Sequence, residues 1–249
     1  MLHSELHGYE TFVLEHDILD PAYTKPAYLL SLILSELQKP LPADRIQWLV
    51  WFNLDIVLLN PHIPLEVFLP PPDLGLETVH ALVTNDHNGL QTGAFFLRVS
   101  KWAARMLMDV IALPEVKPDV ELKYGEQSAF EILLQDPKNR ERAVWVPQHW
   151  FNGYVGNRDA RLVLKGEEPG AARKGDLQIH FAGKRKDRME QFLEIAESKD
   201  PRWEMSLERT GLIEEAREFW VEEAIKRGYE VVEDEDEEAV ALEAEEMSL

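Results

Sequence analysis

The stretch WLVWFNLDIVLLNP at residues 48–61 is apolar almost throughout, yet Asn53 and Asp55 stand at its centre. Burying a carboxylate in such surroundings is costly unless it is paired or coordinated. Side chains two apart on a strand share a face, so Asn53 and Asp55 are expected to project together. Apolar residues on both faces predict a central strand covered by helices. Asp55 then falls toward the strand's C-terminal end, the edge at which open α/β sheets bind ligands.

Around this stretch, strand-like and helix-like segments alternate. YETFVLEH (9–16), HALVTND (80–86), GAFFLRV (93–99), AVWVPQ (143–148) and DLQIHFA (176–182) read as strands. KPAYLLSLILSELQ (25–38), KWAARMLMDVIAL (101–113), EQSAFEILLQ (126–135), KDRMEQFLEIAES (186–198) and LIEEAREFWVEEAIKRG (212–228) read as helices. Pro26 suits a first helical turn and Gly228 a C-terminal stop. NPHIPLEVFLPPP (60–72) is a proline-punctuated loop. The order predicts one α/β domain over residues 1–230, built on a mostly parallel sheet.

Composition narrows the function classes. With 249 residues, 45% of them hydrophobic, the chain can bury a substantial core. It has no cysteine, hence no disulfide, thiol nucleophile or thiolate metal site. The net charge of −20 is uneven: the run EDEDEEAVALEAEEMSL (233–249) holds nine acidic and no basic side chains. Residues 231–249 therefore read as an acidic disordered tail. No basic stripe suggests a nucleic-acid partner, no apolar run of 18 residues suggests a membrane span, and MLHSELHGYE does not resemble a signal peptide. A GxSxG elbow, a phosphate-binding Walker loop and an HExxH helix are all absent.

Four clusters carry candidate chemistry. Asp55 and His180, each near a strand end, could hold a divalent cation with water and phosphate oxygens completing its shell. A core histidine and a turn-capping aspartate would look the same. NDHNGLQTG (85–93) gathers Asp86, Asn88 and Gln91 between glycines, which suits sugar hydroxyls and equally an ordinary polar turn. Glu126 and Gln127 open a helix, where an acid is favoured by the dipole whatever its role. VPQHWFNGY (146–154) adds Gln148 and Asn152 beside aromatics that suit a sugar face or a core.

The order of the blocks is distinctive. From HGYE (7–10) through KPAYLLSLILSEL, WLVWFNLDIVLLNPHIPLEVFLPP, DHNGLQTGAFFLRVSKW, YGEQSA, VPQHWFN and GDLQIHFAG to KDRMEQFLEIAE, the chain resembles glycosyltransferase family 34. This family contains the fungal galactosyl- and mannosyltransferases and plant xyloglucan xylosyltransferases. The resemblance implies a GT-A type fold, a nucleotide-sugar donor of UDP-galactose or GDP-mannose type, a glycan acceptor, manganese or another divalent cation, and retention of configuration. It implies Asp55 and His180 as metal ligands and Glu126 and Gln127 as the pair near the anomeric carbon. Asn53, Asp86, Asn88, Gln91, Gln148, Asn152 and Gly183 would bind donor or acceptor, and Lys184 or Arg185 the diphosphate.

The family pattern also implies differences. Asn53 stands where the family's Asp-x-Asp motif has its first Asp, and Gln91 where an Asn is usual. The chain starts close to HGYE, so the family's first strand, stem and membrane anchor are expected to be missing from it. A Golgi location follows from the family, a soluble or cytoplasmic one from the lack of an anchor. The alternative to a transferase is a weak or inactive paralogue serving as a binding partner, and behind it a hydrolase of nucleotide sugars.

Overall fold

The computed structural model describes residues 2–155, 170–183 and 188–229. The expected acidic tail lies outside them. Seven helices, α1 (Leu2–His7), α2 (Pro21–Gln38), α3 (Lys101–Val116), α4 (Glu126–Leu134), α5 (Pro137–Arg140), α6 (Met189–Glu197) and α7 (Leu212–Lys226), accompany six strands among the described residues. The strands are β1 (Trp48–Phe52), β2 (Ile56–Leu58), β3 (Ala81–Asp86), β4 (Gly89–Arg98), β5 (Ala143–Trp145) and β6 (Gln178–His180).

Local chemistry sets the helix limits. Asp20 caps α2 by accepting the Ala22 amide at 3.0 Å, Pro21 occupies the first turn, and Pro40 follows its end. Ser100 caps α3 through the Ala103 amide at 3.1 Å.

The main sheet has the order β1-β4-β3-β5, and β2 and β6 form a separate antiparallel pair. β4 runs antiparallel to both β1 and β3, while β3 and β5 pair in parallel. Thus β1, β3 and β5 share one direction, and their C-terminal ends lie along one edge. The α/β class is as expected, but among the described strands of the main sheet parallel pairing is confined to β3–β5. The reason is the short His87-Asn88 turn, which folds β4 back on β3 and inserts it between two co-directional strands.

Two further expectations are corrected. Residues 48–59 are not one central strand: the chain turns at Leu54 and Asp55, and β1 is an edge strand among the described residues. An amide and a carboxylate within an apolar run thus mark a break, because their polarity is better met outside the sheet. YETFVLEH is not a strand either. Phe12 and Val13 are exposed, and no strand lies alongside to take up the backbone's hydrogen bonds among the described residues.

Helices cover one face of the main sheet: Leu29 and Ile33 of α2, Leu107 and Val110 of α3 and Phe130 of α4 pack on Phe95 and Leu97. On the other face Phe96, Phe68, Trp150, Phe151 and Trp220 meet, and the Trp220 indole donates to the Phe68 carbonyl at 3.2 Å. Each such large side chain contributes about 1.5–3 kcal/mol by leaving water. A third apolar cluster, with Phe181, Phe192 and Trp203, joins α6 to the β2–β6 pair. This packing fixes the strand ends on which the candidate site is built.

Candidate active site

The break after β1 forms the site's first wall. The Asn53 amide donates to the Gly93 carbonyl at 2.8 Å, and its side-chain oxygen accepts the Trp51 indole N–H at 2.8 Å. Leu54 projects outward, 94% exposed. The Asp55 carbonyl accepts the Phe181 amide at 2.7 Å, which ties the start of β2 to the end of β6. Across that tie, Asp55 Oδ1 stands 3.4 Å from His180 Nε2. The structure therefore brings together two residues 125 apart in sequence.

The orientation of His180 follows from its neighbours. The Asn152 amide nitrogen donates to Thr84 Oγ1 at 2.8 Å and to the Ala94 carbonyl at 2.6 Å, so its oxygen is the end left to accept. His180 Nδ1 lies 3.1 Å from that oxygen and must donate to it. In the neutral ring the lone pair is then on Nε2, facing Asp55. Gly93 makes room for the ring, since a Cβ there would lie 2.1 Å from His180 Cε1.

Next to this pair, the β3–β4 turn builds a polar wall. Asp86 Oδ1 accepts the Asn88 amide at 2.6 Å, while Oδ2 accepts the Tyr154 hydroxyl. Gln91 donates to the Tyr154 oxygen at 2.8 Å and accepts the Gly93 amide at 2.8 Å. Gln91 is thus buried with both ends of its amide engaged, and Asn88 is exposed at the turn's tip. Gly89, at φ 108°, lets the turn close over Glu131, whose Oε1 accepts the Leu90 amide at 3.2 Å.

Glu126 and Gln127, at the start of α4, approach the same part of β4 through Thr92. The Thr92 amide donates to Gln127 Oε1 at 3.3 Å, and its hydroxyl is 3.3 Å from either Glu126 oxygen. Lys25 of α2 completes the group by pairing with Glu126 and donating to the Thr92 carbonyl at 2.9 Å and hydroxyl at 3.1 Å. Burial draws the Lys25 ammonium below the usual lysine range, against the opposing pull of Glu126 and, behind it, Asp55.

Gln148 stands behind this front, donating to the Asn152 carbonyl at 3.0 Å. Its neighbour His149 belongs to a clamp in which Glu215 of α7 meets His149 Nε2 at 2.7 Å and Arg173 at 2.9 Å. Gly183 follows β6 at φ 65° with open space around it. Lys184 and Arg185, expected at the diphosphate, lie outside the described residues.

The Asp55–His180 pair suits a divalent cation. Two ligands at right angles on an octahedral ion of about 2.1 Å bond length stand about 3 Å apart, close to the observed 3.4 Å. The inward-facing Nε2 lone pair and the hydrogen bond from Nδ1 are what a metal-binding imidazole requires. Among the described residues no third His, Asp or Glu joins them, so water and phosphate oxygens would supply the remaining positions.

Residues 74–190 match the model of the galactosyl transferase GMA12/MNN10 family. Two Schizosaccharomyces pombe proteins agree with that match. One, a probable alpha-1,2-galactosyltransferase gmh1, is 25% identical over 168 residues, covering 55% of this chain and 48% of that protein. The other, an alpha-1,2-galactosyltransferase, is 29% identical over 141 residues, covering 54% of this chain and 34% of that protein. Over residues 74–190 the chain is similar to the GMA12/MNN10 family. It spans about half, or less, of the length of these curated relatives.

The fold is also similar to that in the crystal structure of a glycosyltransferase involved in the glycosylation of the major capsid of PBCV-1. The TM-score is 0.52 at 17% identity, over 77% of this chain and 87% of that one. This likeness concerns the fold and is consistent with the GT-A type. Within the GMA12/MNN10 match fall Asp86, Asn88, Gln91, Glu126, Gln127, Gln148, Asn152 and His180, whereas Asn53 and Asp55 precede it.

Lys25, Thr92 and Tyr154 were not singled out by the sequence reading. Lys25 carried one signal, a cation in an otherwise apolar helical run. Thr92 and Tyr154 carried none beyond lying inside NDHNGLQTG and VPQHWFNGY.

Proposed function

We propose that the chain is the core of a retaining hexosyltransferase that moves a sugar from a UDP-galactose or GDP-mannose type donor to a glycan acceptor. The observation that carries this reading is the Asp55–His180 pair, with Nε2 turned to the carboxylate by Asn152 at the C-terminal edge of β1, β3 and β5. Asp55 and His180 would hold manganese or a similar cation, which when bound supplies neutralisation of the departing diphosphate. The match to the galactosyl transferase family model and the galactosyltransferase names of the relatives support galactose as the sugar. A Golgi setting goes with the same reading.

The chain's own residues do the rest. Asp86, held by Tyr154 and the Asn88 amide, offers a carboxylate edge to sugar hydroxyls. Glu126 would stabilise positive charge developing at the anomeric carbon, with Gln127 beside it in contact with the sugar. Asn53 gives its side-chain oxygen to the Trp51 indole and shapes the turn.

Product analysis tests the reading: the chain is incubated with UDP-galactose or GDP-mannose and manganese, with and without an α-linked oligosaccharide acceptor. Acceptor-dependent transfer with an α-configured product, read by NMR, supports it. Free sugar released at the same rate in both cases favours a hydrolase. No turnover of either donor favours the inactive binding paralogue.

A further inference from the structure

Lys25 makes an unusual set of contacts for a lysine on a sheet-covering helix. All three ammonium hydrogens are accounted for by Glu126, the Thr92 carbonyl and the Thr92 hydroxyl. The side chain is 12% exposed, and its ammonium lies 5.8 Å from the ring centres of both Trp51 and Phe95. It reaches 67 residues along the sequence to Thr92 within β4, whose next residue, Gly93, packs against His180.

These contacts have a direction. Because Lys25 donates to Thr92 Oγ1, that oxygen's own hydrogen is free to point to Glu126 or to Gln127 Oε1, at 3.3 and 3.4 Å. The Thr92 amide also donates to Gln127 Oε1, at 3.3 Å. A backbone N–H can only donate, so the Gln127 atom that faces Thr92 is its carbonyl oxygen. The Gln127 NH2 is therefore the end left for a ligand. Glu126, for its part, is compensated by a buried ammonium.

We propose that Lys25 is a positioning residue of this site: through Thr92 and Glu126 it holds the Gln127 carboxamide with its oxygen turned inward, leaving the NH2 as the group offered to the bound sugar. Gln127 then serves as a hydrogen-bond donor that orients the sugar, not as an oxygen nucleophile toward the anomeric carbon. The inference rests on the transferase reading. It goes beyond it by placing Lys25, on a different helix, in control of the amide's orientation.

The test measures steady-state transfer from UDP-galactose with manganese for Lys25→Met, Lys25→Arg, Thr92→Val and the double variant Lys25→Met/Glu126→Gln. Thermal unfolding of the same proteins is followed without substrate. Lys25→Met should lower kcat by about tenfold or more while the donor KM moves by less than about threefold, as expected for misorientation. Lys25→Arg should recover part of kcat, and Thr92→Val should act in the same direction as Lys25→Met. The double variant, relieved of the uncompensated Glu126, should regain the thermal midpoint, which separates the cost of the stranded carboxylate from the loss of kcat in Lys25→Met. An unchanged kcat in Lys25→Met, or a loss of kcat that Lys25→Arg does not recover in part, would overturn the proposal. A wild-type chain that turns over no donor overturns the transferase reading and the role with it, a result separable from failure of the variants because the unfolding cycle needs no substrate.

Discussion

The imidazole of His180 lies directly over the α-carbon of Gly93, so that any Cβ at position 93 would fall within 2.1–2.7 Å of three ring atoms. That contact joins the middle of β4 to the end of β6. Gly93→Ala should push the ring away from Asp55 and cost about 1–3 kcal/mol, as overpacking does. Urea unfolding reads the loss of stability, and donor titration in manganese reads the displaced imidazole. Full retention of both would show that the ring can shift at no cost.

Asn152 predicts a second kind of damage. Its amide satisfies Thr84, the Ala94 carbonyl and His180 Nδ1 at once, all within the buried layer. Replacing it by leucine leaves three polar groups without their partner, at about 1–3 kcal/mol for each that water cannot reach. Asn152→Leu should therefore lower the urea midpoint sharply and weaken manganese-dependent donor binding.

Lys199 offers a gain in stability. It ends α6 in the left-handed region at φ 52°, in a Schellman-like turn where the Asp200 amide reaches the Ile195 carbonyl at 3.4 Å. Non-glycine residues occupy that region at a cost of about 1 kcal/mol. Lys199→Gly should raise stability by up to that amount, and a lower urea midpoint would contradict the assignment.

The pH dependence of folding should carry the mark of His80. Burial, then the Arg98 and Arg142 charges, bring its imidazole down from 6.5 to about 4. Its Nδ1 is buried without a hydrogen-bond partner. Between pH 4 and 6.5 the unfolded chain thus binds more protons at this site than the folded one, so stability falls as pH falls through that window. At Glu215, burial acts upward, but His149, Arg173 and Trp150 outweigh it and hold the carboxyl at about 2. Its contribution is present above pH 4.5 and is lost as pH drops toward 2. Replacing His80 by Phe should flatten the upper part of the acid-unfolding curve, and replacing Glu215 by Gln the lower part.

Much of this architecture could be read from sequence because its signals are local. Strands β3 and β4 and helices α3, α4 and α7 have the periodicity and caps that specify them within one window. The break at Leu54–Asp55 was hidden because the apolar residues on either side form one unbroken hydrophobic pattern, although they belong to two sheets. The convergence of Asp55 with His180 was legible in residue type and strand position. What holds them was not: Asn152 works through Thr84, Ala94 and Nδ1, contacts between segments that are far apart in the chain. Gln91 likewise reads as a surface amide in a glycine-rich turn, yet it is buried against Tyr154 and the Gly93 amide. Lys25 was invisible for the same reason, since its partners lie on β4 and α4.

The central claim is that Asp55 and His180 hold a cation for a sugar diphosphate. Calorimetric titration of UDP-galactose and GDP-mannose into the wild-type chain and Asp55→Ala, each with and without manganese, tests it most directly. One of the donors should bind the wild type at least about tenfold more tightly with manganese, and Asp55→Ala should lose that gain while keeping its fold. Donor binding that is indifferent to manganese, or a gain that survives in Asp55→Ala, would contradict it.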